Sequence, residues 1–270
     1  MKKLFYGLVY LFALIGFVLT CGYIAIMFGL TKEKGTVDTQ RTSFVTTEIH
    51  EEKKVAHPTF TTTKEWEVLR DAIYKDREAI YKASALFDVK PRLIVSILVV
   101  EQLRLYNDNR EIFKTVFAPL RLLGIQSQYS WGVLGIKQET AITIEHNLVT
   151  PSSPFYPGKR YEHLLDFATN NQNEERYDRL TEKHDRFYSY LYGAAIIKEL
   201  ESQWQKSGYD ISKQPEIIAT LFNIGFAHSQ PNPSPHSGGA SITLASSTYS
   251  FGSLAKDFYY SDELIETFPR

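Results

Sequence analysis

Glu101 is the residue whose setting most directly suggests chemistry. It closes the run Asp88 to Gln102, DVKPRLIVSILVVEQ, in which Leu93, Ile94, Val95, Ile97, Leu98, Val99 and Val100 are interrupted only by Ser96. A helix that is apolar nearly all the way round has to be buried. Pro91 suits the first helical position, where its missing N–H is no loss, and Asp88 offers a carboxylate to the free N–H groups of the first turn. A carboxylate at the end of such a helix is costly unless it is solvated, paired or neutral. Kept neutral by an apolar setting, a carboxyl group meets the requirement for a general acid. The plainer alternative is a Glu that emerges into water where the helix ends.

The elements that must position Glu101 follow from periodicity. Trp66, Leu69, Ile73, Ile80, Ala83 and Phe87 recur at helical spacing, which predicts an amphipathic helix over 65–87 ahead of the buried one. A helix around Glu111 to Phe117 is expected to end before Pro119. Residues 150–160, TPSSPFYPGKR, read as a Pro-rich loop. One long helix is expected from Arg176 through Trp204, with Phe187, Leu191, Ala194, Ala195, Ile197 and Leu200 inward. Pro215 starts a further helix, stopped at Gly225, and residues 229–240 form a loop. A short helix is expected near Ser261 to Thr267. Strand-type alternation is scarce, so the fold class is mostly α.

Composition sets further bounds. The net charge of −1 over 270 residues gives no reason to expect nucleic acid as a partner. The 17 Tyr and 17 Phe suit a large core or a carbohydrate-binding cleft. Cys21 is the single cysteine, so an intrachain disulfide is excluded and a thiolate metal cluster is not expected. His228 and His236 lack a close ligand partner, and neither a metal nor a cofactor is implied.

Residues 4–30, LFYGLVYLFALIGFVLTCGYIAIMFGL, carry no charged side chain. That exceeds the roughly 20 residues needed to cross a bilayer and is too long for a signal-peptide core. Lys2 and Lys3 precede the run, which favours a cytoplasmic N-terminus with the remainder outside the cytoplasmic membrane. Residues 1–30 are therefore expected to be a single-pass transmembrane anchor. Thr-rich, charged residues 31–64 read as a solvated tether, with packing of Val55 to Phe60 onto the domain left open. Residues 65–270 form the folded domain.

Three segments together resemble lytic transglycosylases and goose-type lysozymes. Asp88–Gln102 is similar to the helix that carries their catalytic glutamate. Tyr129 to Ala141, YSWGVLGIKQETA, resembles their second motif, with Gly132-Val133-Leu134-Gly135 in the place of Gly-Leu-Met-Gln and Thr140-Ala141 at its end. Thr220 to Gly225, TLFNIG, resembles Ala-Tyr-Asn-Ala-Gly. The order and rough spacing match, over about residues 65–240. Departures are Gly135 for Gln, Gln138 for Pro, Phe222 for Tyr and Gln102 for Ser.

The resemblance implies a lysozyme-like helical domain that cleaves the MurNAc–GlcNAc bond of peptidoglycan outside the membrane, in the periplasm where there is one. Glu101 would protonate the leaving oxygen, and as carboxylate would then take the proton of the muramic acid's C6 hydroxyl as it attacks, leaving a 1,6-anhydro end. Val99, Val100 and Phe222 would supply the apolar setting, Asn223 would hold substrate or loop, and Tyr129, Ser130 and Trp131 would line the cleft with Gln138. Each has a plainer reading: the aromatics as core, Asn223 as a helix C-terminal residue, Glu139 and Asp166 as solvated groups. The alternative function is a catalytically silent lysozyme-like domain that binds glycan or scaffolds an envelope complex. The distinguishing feature is whether Glu101 lies in an open cleft or is sealed in the core.

Overall fold

The computed structural model describes residues 58–62, 64–107, 130–244 and 247–270, with Tyr6, Tyr10, Gly16, Phe17, Thr20 and Cys21. Most of the expected anchor and tether, the expected helix at 111–117, and Tyr129 lie outside the described residues. Among those described, no helix is long and apolar enough to cross a membrane.

The fold is mostly helical. Helices α1 (Lys64–Lys75), α2 (Arg77–Phe87) and α3 (Pro91–Asn107) come first. A small hairpin, β1 (Ser130–Trp131) and β2 (Ile136–Lys137), leads into α4 (Gln138–Val149). Helices α5 (Gln172–Thr181), α6 (Phe187–Lys206) and α7 (Pro215–Ile224) follow. A second hairpin, β3 (Ser241–Leu244) and β4 (Ser247–Ser250), precedes α8 (Phe251–Tyr260). Both hairpins are antiparallel, with Trp131 opposite Ile136 in the first and Ile242 opposite Tyr249 in the second.

Helix α3 is the centre of the core. It starts at Pro91, and every residue from Leu93 to Val100 is at most 2% exposed. Its all-round apolar surface is covered by α1, α2, α6, α7, α8 and β3. The inward residues expected of the flanking helices are buried, Trp66, Leu69, Ile73, Ile80, Ala83 and Phe87 on one side and Leu191, Ala194, Ala195, Ile197 and Leu200 on the other. Phe187 is half-buried. Ordered packing reaches back to Phe60, whose ring meets Trp66 edge-on at 5.2 Å, so the domain takes in the end of the expected tether.

Four expectations need correction. The helix over 65–87 breaks at Asp76, whose carboxylate accepts from Arg186 (2.8 Å) and the Tyr190 hydroxyl (2.5 Å). The helix over 176–204 is two: between α5 and α6, Glu182 accepts from the His184 N–H and Asp185 from the Phe187 N–H, drawing backbone donors out of the helical ladder. Asp88 does not cap α3; it ends α2 in the left-handed conformation, at φ 53°. The C-terminal helix lies at Phe251–Tyr260, opened by a Ser250–Ser253 capping box, and residues 261–267 are turn.

Arg92, one residue into α3, is fully buried and faces no carboxylate directly. It donates to the carbonyls of Phe258 (3.0 Å), Tyr259 (2.7 Å), Ser261 (2.8 Å) and Phe268 (2.8 Å). Those at the end of α8 are carbonyls without partners inside the helix, at the negative end of its dipole. Burial, with Arg270 nearby, lowers the Arg92 pKa to about 10.

Candidate functional site

Glu101 is 1% exposed in the last turns of α3. Its neighbour is charged. Arg104 Nη2 donates to Oε1 at 2.6 Å and Arg104 Nε to Oε2 at 3.2 Å, so both carboxylate oxygens are engaged by one guanidinium. The side chains are 3% and 2% exposed, which makes this a buried ion pair between residues three apart on one helix face. The expected environment was an apolar one from Val99, Val100 and Phe222. All three are buried, yet both oxygens of Glu101 are also held by a cation, Arg104, that sequence reasoning passed over. The Glu-x-x-Arg spacing was the available signal, since side chains at that separation meet on a helix.

The β1–β2 hairpin closes over this pair. Gly132 and Gly135 have φ of +67° and +61°, a conformation that side-chain-bearing residues resist. Both also sit where a side chain has no room. A Cβ at Gly135 would collide with Glu101 Oε1, and one at Gly132 with the Leu180 carbonyl and the Ser189 hydroxyl. Between them Leu134, 1% exposed, seats against the bare backbone of Gly193 on α6. Gln102, adjacent to Glu101, donates its amide to the Val133 carbonyl and ties the turn to α3. Thus residues 34 apart in sequence, Glu101 and Gly135, are in contact because position 135 has no side chain.

The remaining site candidates separate. Trp131 is 6% exposed and packs edge-on against Tyr177 at 5.2 Å, a core position. Ser130 lies in β1, at the mouth of the hairpin, and Tyr129 lies outside the described residues. Gln138 is the first residue of α4 and half-buried. Phe222 is 7% exposed within the core. Asn223 is buried and its Oδ1 accepts from the Ala240 N–H at 2.8 Å, so it holds the loop before β3. That is the loop-holding half of its expected role. Glu139 is exposed, and Asp166 is exposed and pairs with His163 at 2.9 Å.

A second buried carboxyl group escaped notice. Glu199, in the middle of α6, is 0% exposed and accepts at Oε2 from Asn147 Nδ2 at 3.0 Å, while its Oε1 has no hydrogen-bond partner. Burial raises its pKa well above the ordinary 4.5. Asn147 in turn accepts from Ser153 Oγ at 2.8 Å, joining α4 to the Pro-rich loop. Among the described residues, no three His, Cys, Asp or Glu side chains are grouped to hold a metal ion.

No family model, curated protein or solved structure matches the chain. The functional reading therefore rests on its own residues.

Proposed function

We propose that this chain is a membrane-anchored, lysozyme-like enzyme that cleaves the glycan strands of peptidoglycan, with Glu101 as its sole acid/base. One observation carries the reading: the glycine turn of the second motif closes on the carboxylate of the first, Gly135 against Glu101. Leaving-group protonation needs an acid at the scissile oxygen. Return of that proton from the muramic C6 hydroxyl needs the same group as carboxylate. Both steps require an oxygen of Glu101 to be available. Before the first, the Arg104 pair must open and the freed carboxylate must take a proton from water. That proton goes to the leaving oxygen, and the one taken from the C6 hydroxyl restores the acid. The anchor is residues 4–30, with the domain outside the cytoplasmic membrane.

The ion pair favours a second reading, a silent domain that binds glycan or scaffolds an envelope complex. Glu101 is sealed at 1% exposure with both oxygens engaged by Arg104, which leaves a substrate no direct approach to either oxygen. Mass spectrometry of digested sacculi separates the two. The enzyme reading expects soluble fragments with anhydro ends from wild type, or reducing ends heavier by one water if hydrolysis wins. Glu101→Gln should reduce release on the order of 10²–10⁴-fold. Undiminished release by Glu101→Gln, or none by wild type, removes the enzyme reading. For topology, protease added to spheroplasts should digest the domain and leave the anchor; protection until lysis would remove peptidoglycan as substrate.

A further inference from the structure

Arg104 poses a problem for any use of Glu101. Its guanidinium is nearly buried and holds both oxygens of the carboxylate. Withdrawing it into an apolar wall would strand a cation. Replacing Glu101 by another carboxylate would not, because a guanidinium fork accepts any planar pair of oxygens in the same two-point geometry. The glycan proposed above as ligand brings such groups: stem peptides end in carboxylates, and a muramic acid whose peptide has been removed exposes its lactyl carboxylate. The turn above the pair is short. Its strands pair over Ser130–Lys137 and Trp131–Ile136, and the Gly135 N–H to Gly132 carbonyl bond is long at 3.3 Å.

We propose that Arg104 is the specificity-determining residue for anionic glycan: its guanidinium exchanges Glu101 for a carboxylate of the muramyl strand, and the exchange is what frees Glu101. The inference rests on the peptidoglycan reading and gives it a selectivity. Neutral strands leave the Glu101–Arg104 pair closed; carboxylate-bearing strands open it.

The test uses strands stripped of peptides by an amidase, and the same strands with their lactyl carboxyls converted to amides. Wild type should cleave the carboxylate form about tenfold faster or more, the scale of one charge-assisted contact. Arg104→Gln should cleave the two forms alike. Equal wild-type rates on both forms, or a preference that survives in Arg104→Gln, overturn the assignment. Binding supplies a readout that does not need cleavage. Glu101→Gln, with Arg104 released from its charged partner, should bind the carboxylate form more tightly than the amide form. The Glu101→Gln/Arg104→Gln double variant, which leaves neither charge buried, should lose that preference. If no protein cleaves either strand while the binding preference behaves this way, the cleavage reading fails and the role of Arg104 stands. If the double variant keeps the preference, Arg104 is not the recognising group, whatever cleavage shows.

Discussion

Glu101 and Glu199 sit on helices α3 and α6 of the same core, at 1% and 0% exposure. Glu101 has a guanidinium across both oxygens; Glu199 has one amide donor and an oxygen with none. The first is a buried ion pair against the Gly135 turn of the β1–β2 hairpin. The second is a carboxyl group in mid-helix, enclosed by packing that raises its pKa. The lesson is that burial alone does not decide what a carboxyl group can do. The raised carboxyl pKa that an apolar setting gives is found at Glu199, where no motif of the resemblance falls.

The largest effect should come from breaking the pair one side at a time. Arg104→Gln leaves a buried carboxylate without its cation and should lower stability by about 3–5 kcal/mol. Adding Glu101→Gln should recover much of that loss, because two neutral side chains replace two charges. Denaturant titrations of the four proteins measure the coupling directly. If the double variant is no more stable than the worse single one, the charges are not coupled and the contrast with Glu199 dissolves.

Gly135→Ala should come next, at about 1–2 kcal/mol for the left-handed backbone alone, with the collision against Glu101 added. Its φ is +61°, close to the +67° of Gly132, but only Gly135 touches the carboxylate. Gly132→Ala should therefore destabilise without disturbing the pair, while Gly135→Ala should also shrink the Arg104–Glu101 coupling. Equal coupling in both variants would detach the hairpin from the site.

Glu199→Gln should have the smallest effect at low pH and a growing one above it. Folded Glu199 keeps its proton at pH values where the unfolded side chain, near 4.5, has lost it. The stability this gives is full below that value and is lost as pH rises toward the raised folded pKa. Wild type should thus fall behind Glu199→Gln with a slope approaching one proton. Glu201, raised by burial to about 7, bends the wild-type curve in the same sense, so only the difference from Glu199→Gln isolates Glu199. A flat difference from pH 5 to 8 would mean that Glu199 is solvated or charged.

How much of this was legible in the sequence depended on the range of the interactions. Pro91 and the run to Val100 announced the central helix because a start signal and an all-round apolar surface are local facts. Pro215 and Gly225 bounded α7 for the same reason, with Gly225 at φ 85° closing it. Breaks at Asp76 and at 182–186 were not legible from apolar spacing, which continues across them. At 182–186 Glu182 and Asp185 draw backbone donors away, whereas at Asp76 backbone bonds to Ala72 and from Ile80 continue and only the one turn residue departs from helical form. The period Phe251, Leu254, Ala255, Phe258 was readable and was overlooked in favour of the stretch beyond it. At the site, Glu101 and the motif order could be read, but the contact of Gly135 with Glu101 is tertiary. So is the sealing of Trp131 and Phe222 into the core, which composition alone leaves undecided.

Arg92 has a consequence for the order in which the molecule can be completed. Its four carbonyl partners lie 166 to 176 residues downstream. At a synthesis rate of roughly 5–20 residues per second, the central helix precedes them by on the order of ten seconds or more. During that interval the Arg92 guanidinium is served by water, and burying it before its carbonyl acceptors exist would cost its hydration. The helix that organises the core is therefore among the last to be locked. The last step in closing the core on this side is the arrival of the end of α8, which brings Arg92 its acceptors.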